Sequence, residues 1–383
     1  MLVSLLVVAA LAVLGRAVLT AYSTRPGAVY ARSLARYDVR ALLDQHRRTF
    51  GAAVMVVTLA QAKLNATDDI DLQVIDEYGK SDFILGAIPF DDAVNPVGGG
   101  GTLTYGYTRL ATQRPAGFRA INAEYTPVEV TKVRASTDLK PLGGSFQIDR
   151  VLARVGNAAA SEVALQMSQL IKATRAKFAD AVINGDVAVD ANGFDGLNKA
   201  LVGSVTEFEA GVSHDVRGST LGGDQGKIND VLDVLFAWLA QLDGTPTAIM
   251  GNTEAILRVK SAARRGGYLE RTSAGAFGQQ VDTFSGIPLV DLGNKDGSNL
   301  PVVPTTSKTV ATVAGNYTDL YAARFAIDGF HGVSMAGAPL VQTWLPDFTR
   351  AGAVKTGEHE MGPVSVALKA TKSAAVLRNL LVR

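Results

Sequence analysis

His359 stands between Glu358 and Glu360, and an imidazole with two carboxylates at hand is a combination that binds metals or moves protons. The spacing works against both. In an alternating stretch, successive residues face opposite sides, so the three groups do not converge and the expectation is polar residues exposed on a strand. The other histidines, His46, His214 and His331, show no HExxH or comparable ligand spacing. GGDQGKI, residues 222–228, falls one residue short of a phosphate loop and has Ile228 where a magnesium-binding Ser or Thr belongs. GVSHD at 211–215 sets Ser213 beside His214 but lacks the strand-turn-helix setting of a nucleophile elbow. Asp68, Asp69 and Asp71, or Asp91 with Asp92, are acids of the kind used in proton transfer, yet carboxylates so placed ordinarily start helices or sit in water. Met167 falls on an apolar stripe and reads as packing. The sequence therefore predicts no catalytic residue, no metal site and no cofactor, and the chain is expected not to be an enzyme.

What remains is a folded chain without chemistry of its own. Its 383 residues, 47% hydrophobic and 19% charged, are those of an ordinary folded protein with room for two or more structural units. The absence of cysteine excludes disulfide frameworks and thiolate sites and fits folding in a reducing cytoplasm. Of the 37 basic and 36 acidic residues, residues 1–54 hold seven Arg and two Asp, a local charge of +5, which leaves the rest at −4. A mildly acidic body argues against a surface that neutralises many nucleic-acid phosphates. The apolar start, MLVSLLVVAALAVLG, is followed by Arg16 instead of being preceded by basic residues, the wrong order for a signal peptide, and is short of the ~20 residues that cross a bilayer. A signal or anchor, and with it a secreted or membrane-tethered binding protein, is the competing reading of this segment. The expectation is that Met55 is the start and that 1–54 is an extension outside the real protein.

The elements follow from periodicity. Val163, Met167, Leu170, Ile171, Thr174, Phe178 and Val182 form one stripe of a helix over 157–183, about 40 Å long at ~1.5 Å per residue. Asn184–Gly185 should stop it, with glycine in the left-handed conformation. Ile228, Val231, Leu232, Leu235, Leu239 and Leu242 mark a second helix ended by Gly244, and a third runs from a Thr253 cap to Arg264. TAIMGN, GIPLVDLG and LPVVP read as strands, and GGYLERTSAGAFGQQVDTF as a loop. Strands alternate with turns over 319–327, 332–335, 364–370 and 374–382. The fold class is α+β.

One stretch, GGGGTLTYGYTRLATQRPAGFRAINAEYTP at 98–127, reads as a long hairpin. Leu103, Tyr105, Tyr107 and Arg109 alternate with Thr102, Thr104, Gly106 and Thr108. Arg114 to Gly117 looks like the turn, and 118–125 like a strand pairing back. Gly98, Gly99, Gly100 and Gly101 make a hinge at its root. A two-stranded hairpin is marginal alone in water, so it must lie on something.

In order and spacing, VTLAQAKLNATDDIDLQVIDEYGKSDFIL, GGGTLTYGYTRL, FRAINAEYTPVEVT, GGSFQIDRVLARV, INGDVAVDANGFDGL and MGPVSVALKATKSAAVLRNL resemble the tailed-bacteriophage major capsid protein family over essentially all of 55–383. The resemblance implies the phage major capsid fold, which encapsulins share. It implies an N-terminal arm over 55–95, an extended loop over 96–127, a peripheral domain over 128–192 with the spine helix 157–183, an axial domain over 193–318, and return strands over 319–383. It implies an icosahedral shell of pentamers and hexamers, in the virion and assembled in the host bacterial cytoplasm. Partners would be the chain itself, portal, scaffold and maturation protease, and packaged double-stranded DNA held without sequence-specific binding; no membrane is expected. An encapsulin-like nanocompartment is the alternative with the same fold. The hairpin would lie across a neighbouring subunit, burying the face of Leu103, Tyr105 and Tyr107, with Arg109, Arg114 and Arg119 meeting acidic patches. Some family members lock subunits through a loop lysine, but 98–127 contains none, so shell strength is expected to be non-covalent.

Overall fold

Strands covered on both faces carry nearly unbroken apolar runs, and AIMG, LYAA and AAVL are three such runs at the centre of the larger sheet of this chain. The computed structural model describes residues 83–95, 102–110, 114–151, 156–222, 224–273 and 280–383. In chain order these form α1 (Phe83–Ala87), β1 (Phe90–Val94), β2 (Thr104–Leu110), β3 (Lys132–Asp138), β4 (Lys140–Asp149), α2 (Gly156–Asn184), α3 (Leu197–Leu201), β5 (Glu207–Phe208), β6 (His214–Asp215), α4 (Gly218–Leu221), α5 (Gln225–Leu239), β7 (Ala248–Gly251) and α6 (Thr253–Gly266). There follow β8 (Leu269–Ser273), β9 (Gln280–Phe284), β10 (Ile287–Asp291), β11 (Thr306–Val310), β12 (Val313–Ala323), β13 (Phe330–Met335), β14 (Val341–Trp344), β15 (Val354–Leu368) and β16 (Ala374–Leu381). The extension 1–54, the Met55 start and most of the arm lie outside the described residues.

The larger sheet runs β5-β16-β12-β7-β10-β9-β8, with β11 also on β12 and β6 on β16. Its alternation is visible in the core. Ala248, Met250, Tyr321, Ala323, Ala374 and Val376 face a core that includes α1 and the C-terminal half of α2, while Ile249, Leu320, Ala322, Ala375 and Leu377 face α5 and α6. The smaller sheet runs β1-β13-β15-β14, with β4 along the other edge of β15. β15 shifts register between Met361 and Val364. As a result Met361 before the shift and Val364, Val366 and Leu368 after it all reach the core.

The 29-residue α2 forms as its stripe predicts, with Met167, Thr174, Phe178 and Val182 buried. Its end differs from expectation. Gly185 is not in the left-handed region; a Cβ there would stand 2.2 Å from the Phe194 carbonyl oxygen and 2.4 Å from that of Ala181. Glycine is needed for close approach, and the Gly196 amide donates to the Gly185 carbonyl at 2.8 Å. The third helix is capped by Asn252, whose side chain accepts from the Ala255 amide at 2.8 Å, and not by Thr253, whose hydroxyl donates to Asp291 at 2.6 Å. It ends on Gly267 at φ 78°, with the Tyr268 amide returning to the Ala263 carbonyl at 2.8 Å. The segment read as a loop after it contains the antiparallel pair β8–β9. LPVVP is not a strand: Val302 and Val303 are buried, and their carbonyls accept from the side chains of Asn184 and Asn252.

Candidate functional site

GGDQGKI and GVSHD become ordinary structure. Asp224 caps α5, accepting from the Gly226 amide at 2.8 Å, and His214 is buried at β6, its Nε2 3.3 Å from Glu209. His359 is buried and not exposed as expected, because β14 and β4 flank it and α2 covers the face it points to; its Nδ1 lies 2.9 Å from the Thr343 hydroxyl. Burial, with Arg175 adding to it, holds the His359 imidazole below its ordinary value. Among the described residues no group of three or more His, Cys, Asp or Glu side chains is arranged to hold a metal ion.

The long hairpin is the feature that chemistry-based reading leaves unexplained. β2 pairs antiparallel with β3, from Thr104 opposite Asp138 to Leu110 opposite Lys132. The return strand is therefore 132–138 and not 118–125. Residues 114–131 contain no strand, and the hydrogen-bonded turn sits at 120–123, where the Ala123 amide donates to the Ala120 carbonyl at 3.1 Å. Asn122 takes φ 67° there, a conformation asparagine tolerates better than most residues. The glycine hinge, Gly98 to Gly101, lies outside the described residues.

The root of the hairpin is fastened to the smaller sheet of the same chain. Tyr105 packs with Val94, Leu139, Val333 and Ala367, and its hydroxyl donates to Asp91 at 3.1 Å. The Tyr107 hydroxyl donates to the Leu368 carbonyl at 3.1 Å, and Arg109 Nε to the Lys369 carbonyl at 3.0 Å. On β3, the hydroxyl of Thr137 is 2.6 Å from that of Ser365. Underneath lies the fully buried His331, its ring edge-on to Tyr105, with Nε2 4.0 Å from Asp91. Lys369 Nζ stands 3.5 Å from the same carboxylate and 5.6 Å from the Tyr105 ring centre. Burial raises the Tyr105 phenol and lowers the His331 imidazole, the latter also through the nearby Lys369 charge. For Lys369 burial pulls the other way, but Tyr105 and Asp91 outweigh it and the ammonium is raised.

The structure thus brings Tyr105, Tyr107 and Arg109 together on their own chain. Leu103, Arg114 and Arg119 remain exposed. Arg114 Nε closes the loop by donating to the Val128 carbonyl at 3.0 Å, and Arg119 donates to the Ala120 and Ala123 carbonyls and lies 5.4 Å from the Tyr125 ring centre. Sequence reasoning missed Phe118, Ile121 and Tyr125 as a site: all three stand exposed on the loop. Their spacing of three and four residues is that of a helical stripe, yet no helix forms over 114–131, so spacing gave no signal for them.

No family model matches the sequence, and no curated protein matches it. Solved structures do match the fold. The chain from the holo-SrpI encapsulin complex of Synechococcus elongatus PCC 7942 is 14% identical and aligns over 85% of this chain and 96% of its own, with a TM-score of 0.53. A chain from Mycobacterium phage Ogopogo is 13% identical over 84% and 99%, with a TM-score of 0.51. One from Mycobacterium phage Bobi is 13% identical over 85% and 98%, with a TM-score of 0.50. The chain therefore has the phage major capsid fold that encapsulins share.

Proposed function

We propose that this chain is a bacteriophage or prophage major capsid protein, a structural protein that self-assembles through pentamers and hexamers into the icosahedral head shell around double-stranded DNA. The observation that carries the reading is the loop at 114–131: its root is fixed on its own sheet, while Phe118, Ile121 and Tyr125 stand in water. Clustered large apolar side chains in solvent mark an interaction surface, and a loop that cannot cover them itself is covered by a neighbouring copy.

On this reading the arm occupies 55–95, the extended loop 96–127, the peripheral domain 128–192 around α2, the axial domain 193–318, and 319–383 returns through both. Tyr105, Tyr107 and Arg109 aim the loop; Leu103, Arg114 and Arg119 meet the neighbour. With no lysine in 98–127, the shell is held without a loop-lysine crosslink. DNA is enclosed and not read, and portal, scaffold and protease are the partners such a shell requires in the host cytoplasm. Purified full-length chain should sediment as rings of five and six or as closed shells; a monomer at every concentration reached, with and without scaffold co-expression, overturns the reading.

The likeness to the SrpI encapsulin chain favours a second reading, a nanocompartment shell. Particle contents separate the two: nuclease-protected DNA supports the head, and a single co-purifying protein supports the compartment.

A further inference from the structure

The chain contains two Asn–Gly pairs, 184–185 and 192–193, at the two ends of the turn segment that follows α2. An asparagine before glycine can modify itself: with no Cβ on the next residue, the following amide nitrogen can reach the side-chain carbonyl carbon. The two pairs are identical in sequence and sit in opposite surroundings.

Asn184 is locked. Its side-chain amide donates to Asp180 at 2.7 Å and to the Val302 carbonyl at 2.6 Å. The Gly185 amide continues the helical ladder, donating to the Ala181 carbonyl at 2.9 Å. With the Phe194 and Ala181 carbonyls pressed against Gly185, the side chain cannot swing onto the Gly185 nitrogen unless the helix end opens. Asn192 is exposed, and its side-chain amide has no hydrogen-bond partner among the described residues. Its main-chain amide donates to the Asp190 carboxylate at 3.0 Å. The Gly193 amide donates to the Asp190 carbonyl at 3.0 Å, a single turn bond in a segment open to water. A Cβ at Gly193 would come no nearer than 3.4 Å to any atom, so this turn has room to rearrange.

We propose that Asn192 is a self-modification site, converted in the folded protein to aspartate and isoaspartate while Asn184 is spared. The Gly193 nitrogen gives up its proton and bonds to Cγ of Asn192; the side-chain nitrogen leaves as ammonia, closing a five-membered succinimide. Water then opens the ring. Cleavage between nitrogen and Cγ leaves aspartate, and cleavage between nitrogen and the main-chain carbonyl carbon leaves isoaspartate, with the chain running through Cβ and Cγ. Only water enters and only ammonia leaves. The product adds a carboxylate to a loop that already holds Asp186, Asp190 and Asp195, of which Lys199 pairs with the first and the last. Isoaspartate also lengthens the main chain two residues before the buried Phe194. The site is independent of the shell reading.

Trypsin releases both pairs in one peptide, Phe178–Lys199, because no Lys or Arg lies between Lys177 and Lys199. Full-length protein is incubated in mildly alkaline buffer, digested and sequenced by fragmentation in the mass spectrometer, where conversion adds about one dalton to the modified residue. In the folded protein Asn192 should convert at least about tenfold faster than Asn184, whose three hydrogen bonds must break first. In the full-length chain unfolded in guanidinium the two should convert at similar rates. An isoaspartyl methyltransferase should label the aged protein and leave an Asn192→Gln variant unlabelled. Equal rates in the folded protein overturn the proposal, as does an Asn192 that stays intact for the time in which the unfolded chain converts. A preference for Asn192 that persists unchanged in guanidinium also overturns it, since sequence neighbours and not the fold would then set the rate.

Discussion

The Tyr107 hydroxyl donates a 3.1 Å hydrogen bond to the main-chain carbonyl of Leu368, 261 residues away in sequence. The bond joins the hairpin to the last residue of β15 and, with Arg109 on the next carbonyl, fixes the direction in which the loop leaves the chain. Tyr107→Phe removes this bond and the one its hydroxyl accepts from Arg109 Nη2 at 3.1 Å, a loss of about 1–3 kcal/mol. Amides of β2 and β3 should exchange faster with solvent deuterium while those of α5 and α6 keep their rates. Unchanged exchange in the hairpin would mean that the tyrosine does not hold it.

Arg378 gathers partners from α3, β5 and β12. Its Nε meets Glu207 at 2.9 Å, its Nη1 meets Asp319 at 2.9 Å and Asn198 at 2.5 Å, and the side chain is 12% exposed. Asp319 also receives the amide of Asn379, which sits at φ 59° beside the register shift between Thr318 and Leu320. Arg378→Ala strands two largely buried carboxylates, and breaking such a pair costs about 3–5 kcal/mol. Urea denaturation should show the midpoint falling with an unchanged slope. A loss under about 1 kcal/mol, the level of a surface pair, would contradict a buried role.

Three buried histidines give the fold a common pH response. Burial holds His214, His331 and His359 below the ordinary 6.5, despite Glu209 near the first and Asp91 near the second. On lowering the pH the unfolded chain takes up these protons first, so stability is fully present above about pH 6.5 and declines as the pH falls below it. Melting temperatures across pH 8 to 5 should be flat and then fall. A His331→Phe variant should fall less steeply, and an identical slope would exclude His331 from the response.

Gly185 allows α2 to end against the 194–196 segment, where a Cβ would meet two carbonyl oxygens. Gly185→Ala should destabilise the chain by about 1–3 kcal/mol, the usual cost of forcing extra volume into a packed site. Gly117→Ala, where a Cβ meets nothing within 4 Å, should leave the melting temperature unchanged. Equal behaviour of the two variants would show that the close approach is not needed.

Periodicity carried far where one face of a long element is buried. The α2 stripe and the apolar runs of β7, β12 and β16 could be read residue by residue, because each side chain's fate depended on local spacing. The hairpin shows where this stops. The alternation of 103–109 marked β2 correctly, but its partner was set by tertiary contacts of Thr137 and Leu139 with the smaller sheet, which local pattern in 118–125 cannot reveal. The same holds for Asp91 and Lys369, far apart in sequence and brought together only by β1 and the end of β15. His359 misled in the opposite sense: its charged neighbours point outward, and the strand's alternation buries the histidine between them. The order of the quoted stretches identified the architecture that no single motif carried.

On the shell reading, the loop at 114–131 ties copies of this chain to one another. Electron cryomicroscopy of the full-length protein purified from expressing cells shows whether it does. The expected result is particles or capsomers with fivefold and sixfold arrangements in which each copy's loop crosses onto a neighbour, burying Phe118 and Ile121. Dispersed single chains even with scaffold co-expression, or particles in which every loop folds back on its own sheet, would contradict it.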